Sequence, residues 1–184
     1  ATDGHRLAFS AVKSTEEGVS INVGPDRQEV IIPRKAVLEL TKLLNKSTQD
    51  TAEIHLSDNY FSLIDTNTKI ISRLIDGNFP NYKQVMPTDF SNTIIIDRMD
   101  FLSSLQQASI FVDERTKGVK LVFRDDKLSI FSHSERGRAE TQLEVTKQEK
   151  ELEIAFNIHY LISILEKLTT TKVNMVIPGG ENKS

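Results

Sequence analysis

Asp3 and His5, separated by a single glycine, are a pairing that a hydrolase could use, because a carboxylate beside an imidazole can orient it as a general base. The remaining histidines, His55, His133 and His159, are scattered without metal-ligand spacing, so no metal site is expected. Asp113-Glu114 and Asp125-Asp126 are acidic pairs, but adjacent residues on a strand point to opposite faces, and both pairs sit in turn-like sequence where carboxylates are solvated. There is no Walker loop, GxGxxG, GxSxG elbow or HExxH, and zero cysteines exclude thiol nucleophiles, disulfides and thiolate metal sites. No cofactor is expected. A different kind of chemistry is offered by Arg34, Lys35, Lys42 and Lys46, which share one helical stretch with a single acid, Glu39. Such a row suits sequence-independent contact with phosphates, and equally describes an ordinary solvated helix face.

The elements that would position these groups come from a repeat. Three segments, "VIIPRKAVLELTKLLNK", "TIIIDRMDFLSSLQQAS" and "EIAFNIHYLISILEKLT", each begin as an apolar strand and continue with helical periodicity. Ile32, Ile96 and Phe156 align at offsets of 64 and 60 residues, and then Val37, Phe101 and Leu161 coincide, as do Leu38, Leu102 and Ile162, and Leu44, Ala108 and Leu168. The residue after each strand is Pro33, Asp97 or Asn157. The last two can accept from free helical N–H groups, and proline tolerates a helix start. In the first helix, Val37, Leu40, Leu43 and Leu44 form the face expected to pack on a sheet.

After each helix the period falls to two. Hairpins are expected in "AEIHLSDNYFSLID" around Asp58-Asn59 and in "GVKLVFRDDKLSIFS" around Arg124 to Lys127. "TKIISRLI" and "AETQLEV" add a strand to the first two repeats, and "KVNMVI" is the first strand after the third helix. "GHRLAFSAVKS" and "EGVSINV" read as strands closing an earlier unit. The expected fold class is therefore α+β, built from serial strand-helix-sheet units at a spacing of roughly 60 residues. A polar, proline-led stretch, "MPTDFSN", reads as a connector between the first repeat and the second.

Composition is compatible with this. The chain has 184 residues, 38% of them hydrophobic and 27% charged, enough apolar content for packed cores. A net charge of −3 excludes a uniformly basic coat but not a local basic face. No apolar run approaches the roughly 18 residues of a membrane span, and the absence of cysteine fits a reducing compartment, so a cytoplasmic protein is expected.

Five strings in order, "ATDGHRLA", "IIPRKAVLEL", "LIDGNFPNYKQVMP", "RTKGVKL" and "IAFNIHYLISIL", make the chain resemble the bacterial DNA polymerase III beta subunit family, the sliding clamps. The resemblance implies DNA-clamp domains, most of the middle one in 1–90 and most of the last in 91–184, with the first domain absent. It further implies a non-catalytic processivity factor whose full-length homodimer rings duplex DNA in the nucleoid and tethers polymerase and clamp-loader subunits. On this resemblance Arg34, Lys35, Lys42 and Lys46 face DNA, and Ile110 and Phe111 lie at the subunit interface. Thr2, Gly4, His5, Arg6, Leu7, Pro80, Val85, Asn157 and Tyr160 would then line a groove for short peptide motifs, with Leu7, Pro80 and Val85 as its apolar floor. Gln84 and Thr116 depart from the family's basic and aromatic preferences at their positions. A non-ring peptide-binding adaptor and a hydrolase are the alternatives.

Overall fold

A computed structural model of the chain describes residues 1–11, 29–66, 68–90, 92–146 and 151–177. They fall into two compact units, Ala1–Gln84 and Val85–Ser184.

In the first unit, helix α1 (Arg34–Leu44) precedes an antiparallel sheet of β1 (Glu53–Leu56), β2 (Tyr60–Asp65) and β3 (Thr68–Arg73) in that spatial order. Pro33 opens α1 without a side-chain cap, as its missing N–H allows, and its carbonyl accepts from Val37 N at 3.1 Å. Period-two alternation buries Phe61 and Leu63 of β2, and Leu40 of α1 packs on them with Ile32, Leu43, Ile70 and Leu74 around the edge. The apolar run before α1 is not a strand but an isolated bridge, Ile31 to Ile75. Likewise the described part of "GHRLAFSAVKS" contains only a bridge between Leu7 and Thr2, and "EGVSINV" lies outside the described residues.

The expected apolar face of α1 needs correction. Leu40 and Leu43 turn to the sheet, whereas Val37 and Leu44 stay 45% and 46% exposed. In the second unit the equivalent residues, Phe101 and Ala108, are buried where their helix packs on another helix and on two strands, whereas those of the third repeat, Leu161 and Leu168, are half-buried and exposed. Among the described residues of the first unit there is no second α-helix to pack on α1.

The second unit contains two repeats that interlock. Strand β4 (Thr93–Asp97) leads into α2 (Arg98–Ser109), followed by β5 (Gly118–Arg124), β6 (Lys127–Ser134) and β7 (Gly137–Glu144); β8 (Leu152–Asn157) then leads into α3 (Ile158–Leu165) and β9 (Lys172–Val176). Each repeat's leading strand pairs with the first strand after the other repeat's helix. Thus β4 pairs with β9, and β8 joins the four-stranded sheet β7-β6-β5-β8 through β5. The helix starts obey the same exchange: Arg98 N donates to Thr171 O and Ile158 N to Lys117 O, each at 2.9 Å. Helix-initial N–H groups that lack intrahelical partners are thereby satisfied. Asp97 and Asn157 cap as expected, accepting from Met99 N and Asp100 N, and from His159 N.

Phe101, Leu105, Val119, Leu121, Phe123, Leu128, Ile130 and Ile158 form the centre of this unit's core, all at most 1% exposed. The Arg124–Lys127 hairpin closes with Asp125 and Asp126 both at positive φ, 50° and 62°, the backbone handedness of a two-residue turn that matches strand twist.

Candidate functional site

The opening residues form a self-braced loop. The main chains of Ala1 and Ala8 exchange two hydrogen bonds of 2.8 Å, and Thr2 bridges Leu7. Gly4 turns the chain at φ +86°, a region that side chains rarely adopt. Asp3 is the hub: one carboxylate oxygen accepts from His5 N at 3.0 Å and Arg6 N at 2.8 Å, and the other from Arg6 Nε and Nη2 at 3.0 and 2.8 Å. The Arg6 side chain, with help from the two amides, lowers the Asp3 pKa from 3.8 to about 2. Thr2 Oγ1 adds a bond to Arg6 O at 2.8 Å and accepts from Gly4 N at 3.2 Å. Leu7 is half-buried, while Thr2, Gly4, His5 and Arg6 are exposed.

Pro80 lies in the same unit, exposed, between Phe79 and the short 3-10 turn Tyr82–Gln84. The ring of Phe9 stacks on Tyr82, centroids 5.7 Å apart and planes 28° apart, and Phe79 meets Tyr82 edge-on at 6.4 Å. The stretch "DGNFPNY" reads as a turn with aromatic anchors, Phe79 and Tyr82, but nothing local pairs them with Phe9, about seventy residues earlier in the chain. Asp3 as a brace was likewise missed, although Asp3 and Arg6 at i, i+3 around a glycine were a readable signal.

Val85, Asn157 and Tyr160 belong to the second unit. Val85 is 73% exposed. Asn157 ends β8 and spends its side-chain oxygen on the α3 cap, 3.0 Å from His159 N. Tyr160 is half-buried in the first turns of α3, with its main-chain carbonyl accepting from Ser163 Oγ at 2.9 Å.

Arg34, Lys35, Lys42 and Lys46, on and just after α1, are exposed. Lys42 pairs with Glu39 at 2.9 Å, and that pairing lowers the Glu39 pKa, with a weaker effect from Lys35. Arg34, Lys35 and Lys46 have no carboxylate within ion-pair distance among the described residues. Arg98, by contrast, is occupied within its own unit: Nε donates to Thr170 O at 2.7 Å and Nη1 to Leu165 O at 3.2 Å, capping the end of α3.

Ile110, just past α2, is 68% exposed, and Phe111 is half-buried. A depression of about 280 Å³ beside Ile110 is lined by Val112, Asp113, Arg115 and the exposed Glu114–Arg136 pair. The acidic pairs are turn residues. Asp113 accepts from Thr116 N at 2.9 Å and, with a smaller effect, from Arg115 N at 3.1 Å, bonds that lower its pKa, and Asp125-Asp126 makes the hairpin turn. No group of three or more His, Asp or Glu capable of holding a metal occurs among the described residues, and no helix there is long and apolar enough to cross a membrane.

Interlocked strand-helix-sheet repeats with antiparallel sheets are the α+β architecture of the DNA-clamp fold, and solved structures similar to this chain include sliding clamps. A DNA polymerase III beta subunit from Pseudomonas aeruginosa superimposes with a TM-score of 0.78 at 29% identity, over 84% of this chain and 42% of that one. A sliding clamp from Bartonella birtlesii, solved bound to griselimycin, gives 0.76 at 34% identity over 80% and 40%. Residues 1–81 match the family model for the central domain of the DNA polymerase III beta subunit, and residues 83–182 match that for its C-terminal domain. The chain belongs to the DNA polymerase III beta subunit family. Curated relatives named beta sliding clamp include those of Haemophilus influenzae, 33% identical over 96% of this chain, and Escherichia coli, 31% identical over the same share. The chain spans 46% of the length of each.

Proposed function

We propose that this chain is part of a sliding-clamp processivity factor that encircles duplex DNA without reading its sequence and tethers a replicative polymerase and clamp-loader subunits. The first unit would supply most of the middle domain and the second most of the last, in a homodimeric ring that is non-catalytic and works in the cytoplasm on the nucleoid. The observation that carries the reading is the exposed basic row of α1, in a chain matched along both units by beta subunit domains. A sliding ring must attract phosphates while avoiding base-edge contacts, and Arg34, Lys35, Lys42 and Lys46 offer charge without a reading surface.

Partner capture is assigned to Thr2, Gly4, His5, Arg6, Leu7, Pro80, Val85, Asn157 and Tyr160, as the residues that would meet a short peptide motif. The braced loop supports this assignment, because a rigid wall loses little entropy when a peptide docks. Ile110 and Phe111 are assigned to the subunit contact, in keeping with the exposure of Ile110. The hydrolase alternative is disfavoured by Asp3, whose two carboxylate oxygens are engaged by Arg6 and two main-chain amides.

The test is the salt dependence of DNA binding by the full-length protein. Replacing Arg34, Lys35, Lys42 and Lys46 by alanine should weaken binding and flatten the slope of log K against log salt by about 0.9 for each phosphate left without its cation. An unchanged slope would remove these residues from the DNA surface.

A further inference from the structure

Nothing in the groove assignment explains why an aromatic ring that is 57% exposed stands at Phe9, directly after the braced loop. The loop is internally rigid through Asp3, but its internal bonds do not fix it to the rest of its unit. Phe9 follows Ala8, whose main chain closes the loop, and stacks on Tyr82; Tyr82 in turn receives the edge of Phe79, the residue before Pro80. This chain of contacts runs from the loop bearing His5, Arg6 and Leu7 to the segment bearing Pro80, all inside one unit.

We infer that Phe9 is a positioning residue for peptide capture: its stack on Tyr82 clasps the Ala1–Ala8 loop to the Phe79–Gln84 segment, holding Leu7 and Pro80 at a fixed separation. The inference rests on the groove reading above. Offset stacking specifies ring geometry as well as burying area, so a side chain of similar apolarity but no ring cannot replace it. Without the clasp, the loop keeps its own hydrogen bonds but loses one of its tethers and samples more placements, among which a peptide must select. Apparent affinity then falls by the fraction of time the wall is in place.

The experiment uses the full-length protein and a labelled peptide carrying the C-terminal residues of the replicative polymerase, titrated by fluorescence anisotropy. Phe9→Leu should weaken binding about two- to tenfold, the range of an aromatic pair's energy, and Phe9→Tyr should restore it. Amide hydrogen exchange should accelerate in residues 1–9 and 79–84 of Phe9→Leu and stay unchanged in α3. Leu7→Asp is the control on the groove itself, since it sets a carboxylate against apolar ligand atoms. If Leu7→Asp abolishes binding while Phe9→Leu binds like the parent, the clasp is wrong and the groove stands. If Leu7→Asp itself binds normally, the groove reading fails and the clasp falls with it. Equal weakening by Phe9→Leu and Phe9→Tyr would also overturn the clasp, because stacking would then be irrelevant.

Discussion

A Cβ placed on Gly137 would lie 3.0 Å from Cε1 of Phe111, so the first residue of β7 is the seat on which that ring rests. Gly137 also has φ +149°, a conformation L side chains rarely adopt. Gly137→Ala should therefore cost roughly 1–3 kcal/mol through backbone strain and displacement of the ring. Thermal unfolding would read the destabilisation. Because Phe111 is assigned to the subunit contact, the full-length variant should also dissociate at higher protein concentration in sedimentation; an unaltered dimer would separate Phe111 from that contact.

Arg98 should matter for stability and not for DNA. It joins the start of α2 to the end of α3 by two bonds to main-chain carbonyls, and a hydrogen bond from a charged donor contributes about 1.5–3 kcal/mol where it is sheltered. One of these two bonds is exposed. Arg98→Met is thus expected to lower stability by about 1–2 kcal/mol in urea unfolding while leaving the salt slope of DNA binding unchanged.

The Asp3 brace makes a pH prediction. Its carboxyl has a folded pKa of about 2, below the ordinary 3.8, so its contribution is complete above the ordinary value and is lost as pH falls toward about 2. An NMR titration should find the Asp3 carboxyl, and the His5 and Arg6 amides that donate to it, changing together with a midpoint near 2. A midpoint near 3.8 would mean that the brace does not form in solution. Since the group is exposed, higher salt should move the midpoint upward by screening Arg6.

Helix starts were the most legible feature of the sequence. Pro33, Asp97 and Asn157 recur at matching positions and each is the residue before its helix, because capping depends on residue type within one turn of chain. The Arg124–Lys127 hairpin was legible for the same local reason. The exchange of β4 and β8 between repeats was not, since a period-two pattern states which face is buried and not which strand lies alongside. Val37 and Leu44 misled because helical periodicity marks an apolar face without saying what covers it. Within the candidate site, Gly4 announced its turn, whereas Phe9 on Tyr82 and Arg98 on Leu165 join residues remote in sequence and carry no local signature.

Topological retention on DNA tests the sliding-clamp reading most directly. The full-length protein, loaded by a bacterial clamp loader onto nicked circular duplex and then challenged with high salt, should remain bound until the circle is cut, and should then run off the free ends. Salt would eliminate a purely electrostatic attachment but not a closed ring. Release from intact circles as fast as from linear duplex would contradict the account.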